Sequence, residues 1–169
     1  DEMDKIIGQF LDFARDTEGE PPEPTDLNAV IAHIAAPLQR RGILIDLQLA
    51  DLPPLMLRPL ALLRLTSNLI NNALRHAGEA APVEVVTRRE GDSVVLEVLD
   101  RGPGIPLEEA ERLKQPFTRL EAARTGASGA GLGLAIVDRV ARGHGGRFDL
   151  LPREGGGLLA RVCLPADQV

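Results

Sequence analysis

Asn68-Leu69-Ile70-Asn71-Asn72-Ala73-Leu74-Arg75-His76 is the stretch on which the reading of this chain turns. Leu62, Leu65, Leu69 and Ala73 recur at helical spacing and mark a buried stripe. Pro59 falls near the start of the run, where its missing N–H is tolerated. Asn68 and Asn72 are four residues apart and share one face of that helix, with Arg75 and His76 beside the stripe. Asparagine is a poor helix former, and its amide is costly to bury without partners. Two of them at this spacing suit either a solvated helix face or something polar to hold. An amide oxygen is a hard donor matched to Mg2+, an ion that keeps several waters and bridges phosphates.

Three more motifs follow in order. Asp100-Arg101-Gly102-Pro103-Gly104-Ile105 ends a strand and turns at once. An ionised carboxylate only accepts hydrogen bonds, so Asp100 suits an exocyclic amine such as that of adenine. The glycines let backbone approach a flat ring closely. An Asp-initiated turn explains the same residues equally well. Gln115-Pro116-Phe117-Thr118-Arg119 comes next, and then Gly129-Ala130-Gly131-Leu132-Gly133-Leu134 ahead of a helix. Backbone amides and a helix N-terminus there form a phosphate cradle, or else a flexible hinge. No Gly-Lys-Ser/Thr follows, so the run is not a Walker loop, and no strand precedes it as a dinucleotide fingerprint requires. Lys114, Arg119 and Arg124 supply positive charge nearby. Together the four motifs predict a nucleotide site assembled from separate parts of the chain.

Working outward, Thr25 or Asp26 caps a helix with Leu27, Val30, Ile31, Ile34 and Leu38 on one face, which Pro37 should kink or shorten. Strands are predicted over Ile43 to Leu49, Val83 to Arg88, Ser93 to Leu99, Arg147 to Leu151 and Leu158 to Leu164. Glu90-Gly91-Asp92 joins two of them as a hairpin, and Gly155-Gly156-Gly157 closes another. Leu107 to Leu113 reads as a short helix, and Leu132 to Arg142 as a long one ended by Gly143. Residues 114 to 130 are polar and small, a loop long enough to be functional. Near the start, Met3, Ile6, Ile7, Phe10 and Leu11 give an amphipathic helix, followed by a Pro-, Gly- and Glu-rich linker with a boundary near residue 20. The expected architecture is a mixed sheet with helices on one face.

Composition narrows the function. The chain has 169 residues, 44% of them hydrophobic, enough for one core. Aromatics are 2%, with no Tyr or Trp, and the formal charge is -6. Both oppose a nucleic-acid partner, which needs stacking platforms and counter-charge. The single Cys163 fits a reducing compartment and a structural role. No apolar run reaches the roughly 20 residues needed to span a bilayer. A first residue of Asp1 is what a piece of a longer protein would show. His33, His76 and His144 are scattered and offer no zinc site.

With these motifs in this order, the chain resembles the catalytic, ATP-binding domain of a bacterial two-component sensor histidine kinase, of the EnvZ osmosensor type. The wider superfamily includes DNA gyrase and heat-shock chaperone ATPases. The resemblance implies an α+β two-layer sandwich (the Bergerat ATP-binding fold). It would have a mixed, mostly antiparallel sheet of about five strands, three main helices on one face and an extra N-terminal helix. It implies that residues 1–16 end a dimerisation-domain helix, 17–24 are linker and 25–169 are the catalytic domain. Asn72 would coordinate Mg2+ and Asn68 would support the phosphates or the metal, the pair acting as the catalytic residues. Arg75 would approach phosphate and His76 would pack near the nucleotide. Asp100 would bind the adenine amine of ATP, with Gly102, Gly104 and Ile105 shaping its pocket. Phe117 and Arg119 would belong to a lid, and Gly129, Ala130, Gly131, Leu132, Gly133 and Leu134 would close over the phosphates.

Two departures stand out. Lys114 occupies a place where the family often has Phe. The family's phosphoacceptor box is absent, since none of the three histidines has its context, so the acceptor histidine would lie upstream of Asp1. The implied partners are a histidine-bearing dimerisation domain of the same protein, a response regulator, and a second copy in a full-length homodimer. The implied place is the cytoplasmic side of an inner-membrane sensor, carried by a domain that does not itself span the membrane. A serine kinase of the anti-sigma type and a nucleotide-responsive binding module without kinase activity remain as alternatives.

Overall fold

The computed structural model describes residues 19–77, 81–114 and 133–166. The expected helix before residue 16 lies outside them. Within them the strands are β1 (Glu23–Thr25), β2 (Ile45–Leu49), β3 (Leu55–Leu57), β4 (Val83–Glu90), β5 (Ser93–Asp100), β6 (Arg147–Pro152) and β7 (Leu158–Pro165). The helices are α1 (Leu27–Arg40), α2 (Pro59–His76), α3 (Ala110–Leu113) and α4 (Gly133–Gly143), with a 3-10 turn at Leu107–Glu109 running into α3.

The main sheet has five strands in the order β2-β4-β5-β7-β6. The β2–β4 pair is parallel and the rest are antiparallel, so the sheet is mixed and mostly antiparallel as expected. Parallel pairing requires a crossover, and α2 lies within it. The β4–β5 hairpin turns through Gly91 at φ +60°, with Glu90 paired to Ser93. Period-two alternation sorts the side chains: Thr87, Leu96, Val162 and Phe148 form one row across four strands, and Val85, Val98, Ala160 and Leu150 form the next. All eight are buried. Phe148 is the one phenylalanine among the described residues, so this core is built from Leu, Val, Ile and Ala.

The helices cover that face. Burying Ala61, Leu62, Leu65, Leu69, Ile70 and Ala73 along α2 realises the predicted stripe. Each Leu or Ile among them contributes about 2 kcal/mol through removal from water. Helix α1 buries Leu27, Ile31 and Ala35, and its cap is Asp26, which accepts from the Ala29 amide at 3.2 Å. Asn28 ties α1 to the sheet by accepting from the Thr87 hydroxyl at 3.0 Å and donating to the Ala50 carbonyl at 2.6 Å.

Four local details differ from the sequence expectations or add to them. Pro37 does not shorten α1, which continues to Arg40. The amide that proline lacks would have bonded the carbonyl of His33, an exposed residue, so water can take its place. The reversal after α4 is made at Gly145 (φ +78°) rather than at Gly143: Gly146 donates to the Ala141 carbonyl and Gly145 to that of Arg142, both at 2.9 Å. The β1–β3 pair was not anticipated, and it includes Glu23 and Pro24 from the stretch read as linker. Strand β2 also begins at Ile45, two residues later than expected.

The opposite face of the sheet carries charge. Glu97, only 6% exposed, accepts from Arg88 at 2.8 and 3.2 Å and from Arg161 at 2.7 Å. Arg161 lies directly across the β5–β7 pair. Burial opposes ionisation of Glu97, but the hydrogen bonds from the two arginines outweigh it and hold the carboxyl below the usual range.

Candidate nucleotide site

Strand β5 ends on Asp100, which is 1% exposed. One carboxylate oxygen accepts from the Gly102 amide at 2.8 Å, and the Leu158 amide also bonds the group. Burial nevertheless pushes the carboxyl above the ordinary aspartate range, against the pull of those two amides and of nearby His76. A carboxylate has about four lone-pair sites, so two amide bonds leave it acceptor capacity for a ligand amine.

The loop after Asp100 is held on both sides by close backbone contacts. A Cβ on Gly102 would lie 2.0 Å from the carbonyl oxygen of His76 at the end of α2. Gly104, at φ +73°, packs so that a Cβ would fall 3.0 Å from the Gly157 carbonyl oxygen. Gly157 in turn leaves no room beside the Asp100 carbonyl, which a Cβ would approach to 2.0 Å. Arg101 fastens the other flank, donating to the carbonyls of Glu154 at 2.8 Å and Gly156 at 3.0 Å. The glycine spacing therefore serves backbone packing around Asp100. Arg101 and Gly157 are structural partners that motif reading passed over, although the Gly155-Gly156-Gly157 run was visible as a turn. Ile105 is partly buried against the core.

On α2, Asn72 is 7% exposed and Asn68 is partly buried, while Asn71 faces solvent. No described residue hydrogen-bonds the side-chain amide of Asn68 or Asn72. Gly133, the first residue of α4, lies against Asn68: a Cβ there would be 3.5 Å from Oδ1. The end of the glycine run and the Asn helix thus meet, and the next residue, Leu134, packs on the core. Arg75 is exposed. His76 is half-buried, and burial, followed by the charge of Arg75, pushes its imidazole below the usual range against the opposing pull of Asp100. The site thus joins the Asn helix, the Asp100 loop and the start of α4. Phe117, Arg119, Gly129, Ala130, Gly131 and Leu132 lie outside the described residues.

Lys114, at the position where an aromatic residue was expected, is buried at 8% exposure. Its ammonium pairs with Glu111 at 2.9 Å and lies 5.6 Å from the centre of the Phe148 ring. Its apolar stem fills the space while the charge is met from both sides.

The donors present fit a nucleotide with a hard cation: a buried carboxyl with spare acceptor capacity, and, one helical turn apart, two amides that no described residue hydrogen-bonds. Among the described residues, no helix is long and apolar enough to cross a membrane.

Residues 58–168 match the family described as histidine kinase-, DNA gyrase B- and HSP90-like ATPase. The sensor protein CutS of Streptomyces coelicolor is 49% identical over 105 residues, covering 60% of this chain and 25% of CutS. The sensor histidine kinase GtrS of Pseudomonas aeruginosa is 36% identical over 166 residues, covering 98% of this chain and 34% of GtrS. Among solved structures, the histidine kinase domain of the E. coli osmosensor EnvZ superposes with a TM-score of 0.65 at 36% identity, covering 88% of this chain and 91% of that domain. The likeness is shared by several sensor kinases and does not single out the osmosensor type. The chain spans only about a quarter to a third of the length of CutS and GtrS. It belongs to the histidine kinase-, gyrase B- and HSP90-like ATPase family.

Proposed function

We propose that this chain is the ATP-binding catalytic domain of a sensor histidine kinase, donating the γ-phosphoryl group of ATP to a histidine on a dimerisation domain beyond it. One observation carries the reading: Asp100, buried at the end of β5 and flanked by a glycine-shaped loop, keeps acceptor capacity that the fold does not use. In this reading Asp100 takes the adenine amine, and Gly102, Gly104 and Ile105 shape the adenine pocket. Asn68 and Asn72 face the phosphates, Asn72 holding Mg2+, whose charge would offset that of the phosphates. Arg75 approaches phosphate and His76 packs near the nucleotide. Phe117 and Arg119 belong to the lid, and Gly129 to Leu134 close over the triphosphate.

The reaction is an in-line displacement. An imidazole nitrogen forms a bond to the γ-phosphorus as the bond to the β–γ bridging oxygen breaks, and ADP leaves. The chain's own residues position the triphosphate and stabilise its charge, which is most of what phosphoryl transfer asks of a protein. A response regulator would receive the phosphoryl group next. Residues 1–16 are proposed as the end of the dimerisation helix and 17–24 as the connecting segment, whose last two residues enter β1. Residues 25–169 are then the catalytic domain of a homodimeric inner-membrane sensor, on its cytoplasmic side where ATP is available.

Calorimetric titration with a non-hydrolysable ATP analogue, with and without Mg2+, tests the site. Saturable binding strengthened by Mg2+ is expected. No binding at millimolar analogue would overturn the reading.

A further inference from the structure

Helix α2 begins without a cap of its own. Arg58 stands at the N-cap position and its side chain makes no capping bond, while Pro59 follows with no N–H to offer. The first free amides are those of Leu60 and Ala61. Both are met by a residue 40 and 41 positions earlier: Glu20 accepts from Leu60 N at 2.8 Å through one oxygen and from Ala61 N at 3.1 Å through the other. A carboxylate at a helix N-terminus both satisfies orphan donors and complements the dipole.

The same residue is held in place from the other side. Arg58 Nε donates to the Glu20 carbonyl at 2.8 Å, and Arg58 Nη1 donates to the Gly143 carbonyl at the end of α4 at 3.0 Å. The Arg58 amide donates to Nε2 of His144 at 3.0 Å. That nitrogen is therefore the acceptor, and Nδ1 carries the proton, which it gives to the Val140 carbonyl at 2.8 Å. Glu20, Arg58 and His144 thus join three pieces: the segment arriving from residue 19, the start of α2 and the end of α4. The far end of α4 is Gly133, which lies against Asn68 of α2.

We propose that Glu20 is a positioning residue, a clamp through which the incoming segment sets the placement of both helices that carry the nucleotide site. The inference rests on the nucleotide reading for its consequence, but the clamp itself is defined by the bonds above. Displacing the incoming segment withdraws the cap from α2 and the carbonyl acceptor from Arg58. The loss reaches Asn68 about two helical turns away, roughly 12 Å along the axis.

The test compares Glu20→Ala, Glu20→Gln and the wild-type chain in three measurements: amide hydrogen exchange at Leu60 and Ala61, side-chain amide resonances of Asn68 and Asn72, and affinity for the non-hydrolysable ATP analogue with Mg2+. Glu20→Ala is expected to speed exchange at both amides about fivefold to tenfold, the equivalent of one lost cap. It should also shift the Asn68 resonances and weaken the analogue severalfold, while the far-UV spectrum stays folded. Glu20→Gln keeps one acceptor oxygen and should fall between. Unchanged exchange at Leu60 and Ala61 overturns the clamp. Faster exchange with unmoved Asn68 resonances overturns the coupling. If the wild-type chain binds no analogue, the nucleotide reading fails, and the exchange and resonance measurements still decide the clamp.

Discussion

The end of α2 meets the loop after β5 through a single glycine: a Cβ on Gly102 would lie 2.0 Å from the carbonyl oxygen of His76 and 2.8 Å from its carbon. Both neighbours are backbone, so neither can swing aside. Gly102→Ala should cost about 2 kcal/mol or more, read as a lower urea midpoint, and should displace Asp100 from its bond to the Gly102 amide. Gly143→Ala is the control. It has open space around its Cβ and lies in α4, so it should be neutral or stabilising by up to about 1 kcal/mol.

Asp100→Asn keeps the shape and changes the chemistry. One half of the side chain becomes a donor facing amide donors, and the pure acceptor offered to an adenine amine is lost. Affinity for the ATP analogue should fall tenfold or more, equivalent to about 1.4 kcal/mol or above. Equal calorimetric affinity in the variant would remove Asp100 from the proposed adenine contact.

The amide of Asn72 can be tested through the metal. Asn72→Ala should reduce analogue affinity mainly in the presence of Mg2+, with little change in its absence. An equal loss under both conditions would assign Asn72 to the phosphates or to packing instead.

Glu97 sits between two arginines on the face away from the helices. Glu97→Gln leaves Arg88 and Arg161 without their shared carboxylate and should lower stability by about 2 kcal/mol, less than for a fully buried triad because the arginine side chains are about one-third exposed. Nucleotide affinity should stay unchanged, since Glu97 points away from the site. Because the folded-state carboxyl lies below the usual range, the stabilisation is complete above the unfolded value and disappears as pH falls through the folded one. The wild-type advantage over Glu97→Gln should therefore vanish in acid denaturation.

His144 predicts a pH effect of a different kind. Burial, followed by the charge of Arg58, lowers its imidazole, opposed by the Val140 carbonyl and by Glu20. The unfolded chain then takes up a proton at a higher pH than the folded one. Stability is full above the ordinary histidine value of about 6.5 and declines as pH falls from there toward the folded value. His76 contributes in the same direction. The urea midpoint of the wild-type chain should drop between pH 7.5 and 5.5 more than that of His144→Gln. Parallel profiles would count against a neutral His144.

The long strands and α2 were legible because their signals are local: alternation from Val83, a helical stripe through Leu62 and Leu69, and a glycine turn at Gly91. The β1–β3 pair was hidden because each strand is three residues long and flanked by prolines, with Pro24 itself inside β1. At the site, the chemistry of Asp100 and Asn72 could be read from residue type. The reason for Gly102 could not, because its neighbour is a carbonyl on another element. Glu20 gave no signal at all: a cap supplied from 40 positions away leaves no spacing to recognise. Lys114 shows the opposite limit, a charged residue whose stem packs like an apolar one.

The pairing of Asp100 with Leu158 also sets a timetable. During synthesis the Asn helix and the β4–β5 hairpin are complete long before β7 exists, and until β7 arrives the Asp100 carboxyl lacks its Leu158 amide and its loop lacks the Gly157 support. At about 5–20 residues per second, the interval between Asp100 and Leu158 lasts several seconds. A nascent chain therefore passes through a stage in which α1, α2 and the β4–β5 hairpin are made but the support around the Asp100 carboxyl is not, and a ribosome paused within that interval would hold it there.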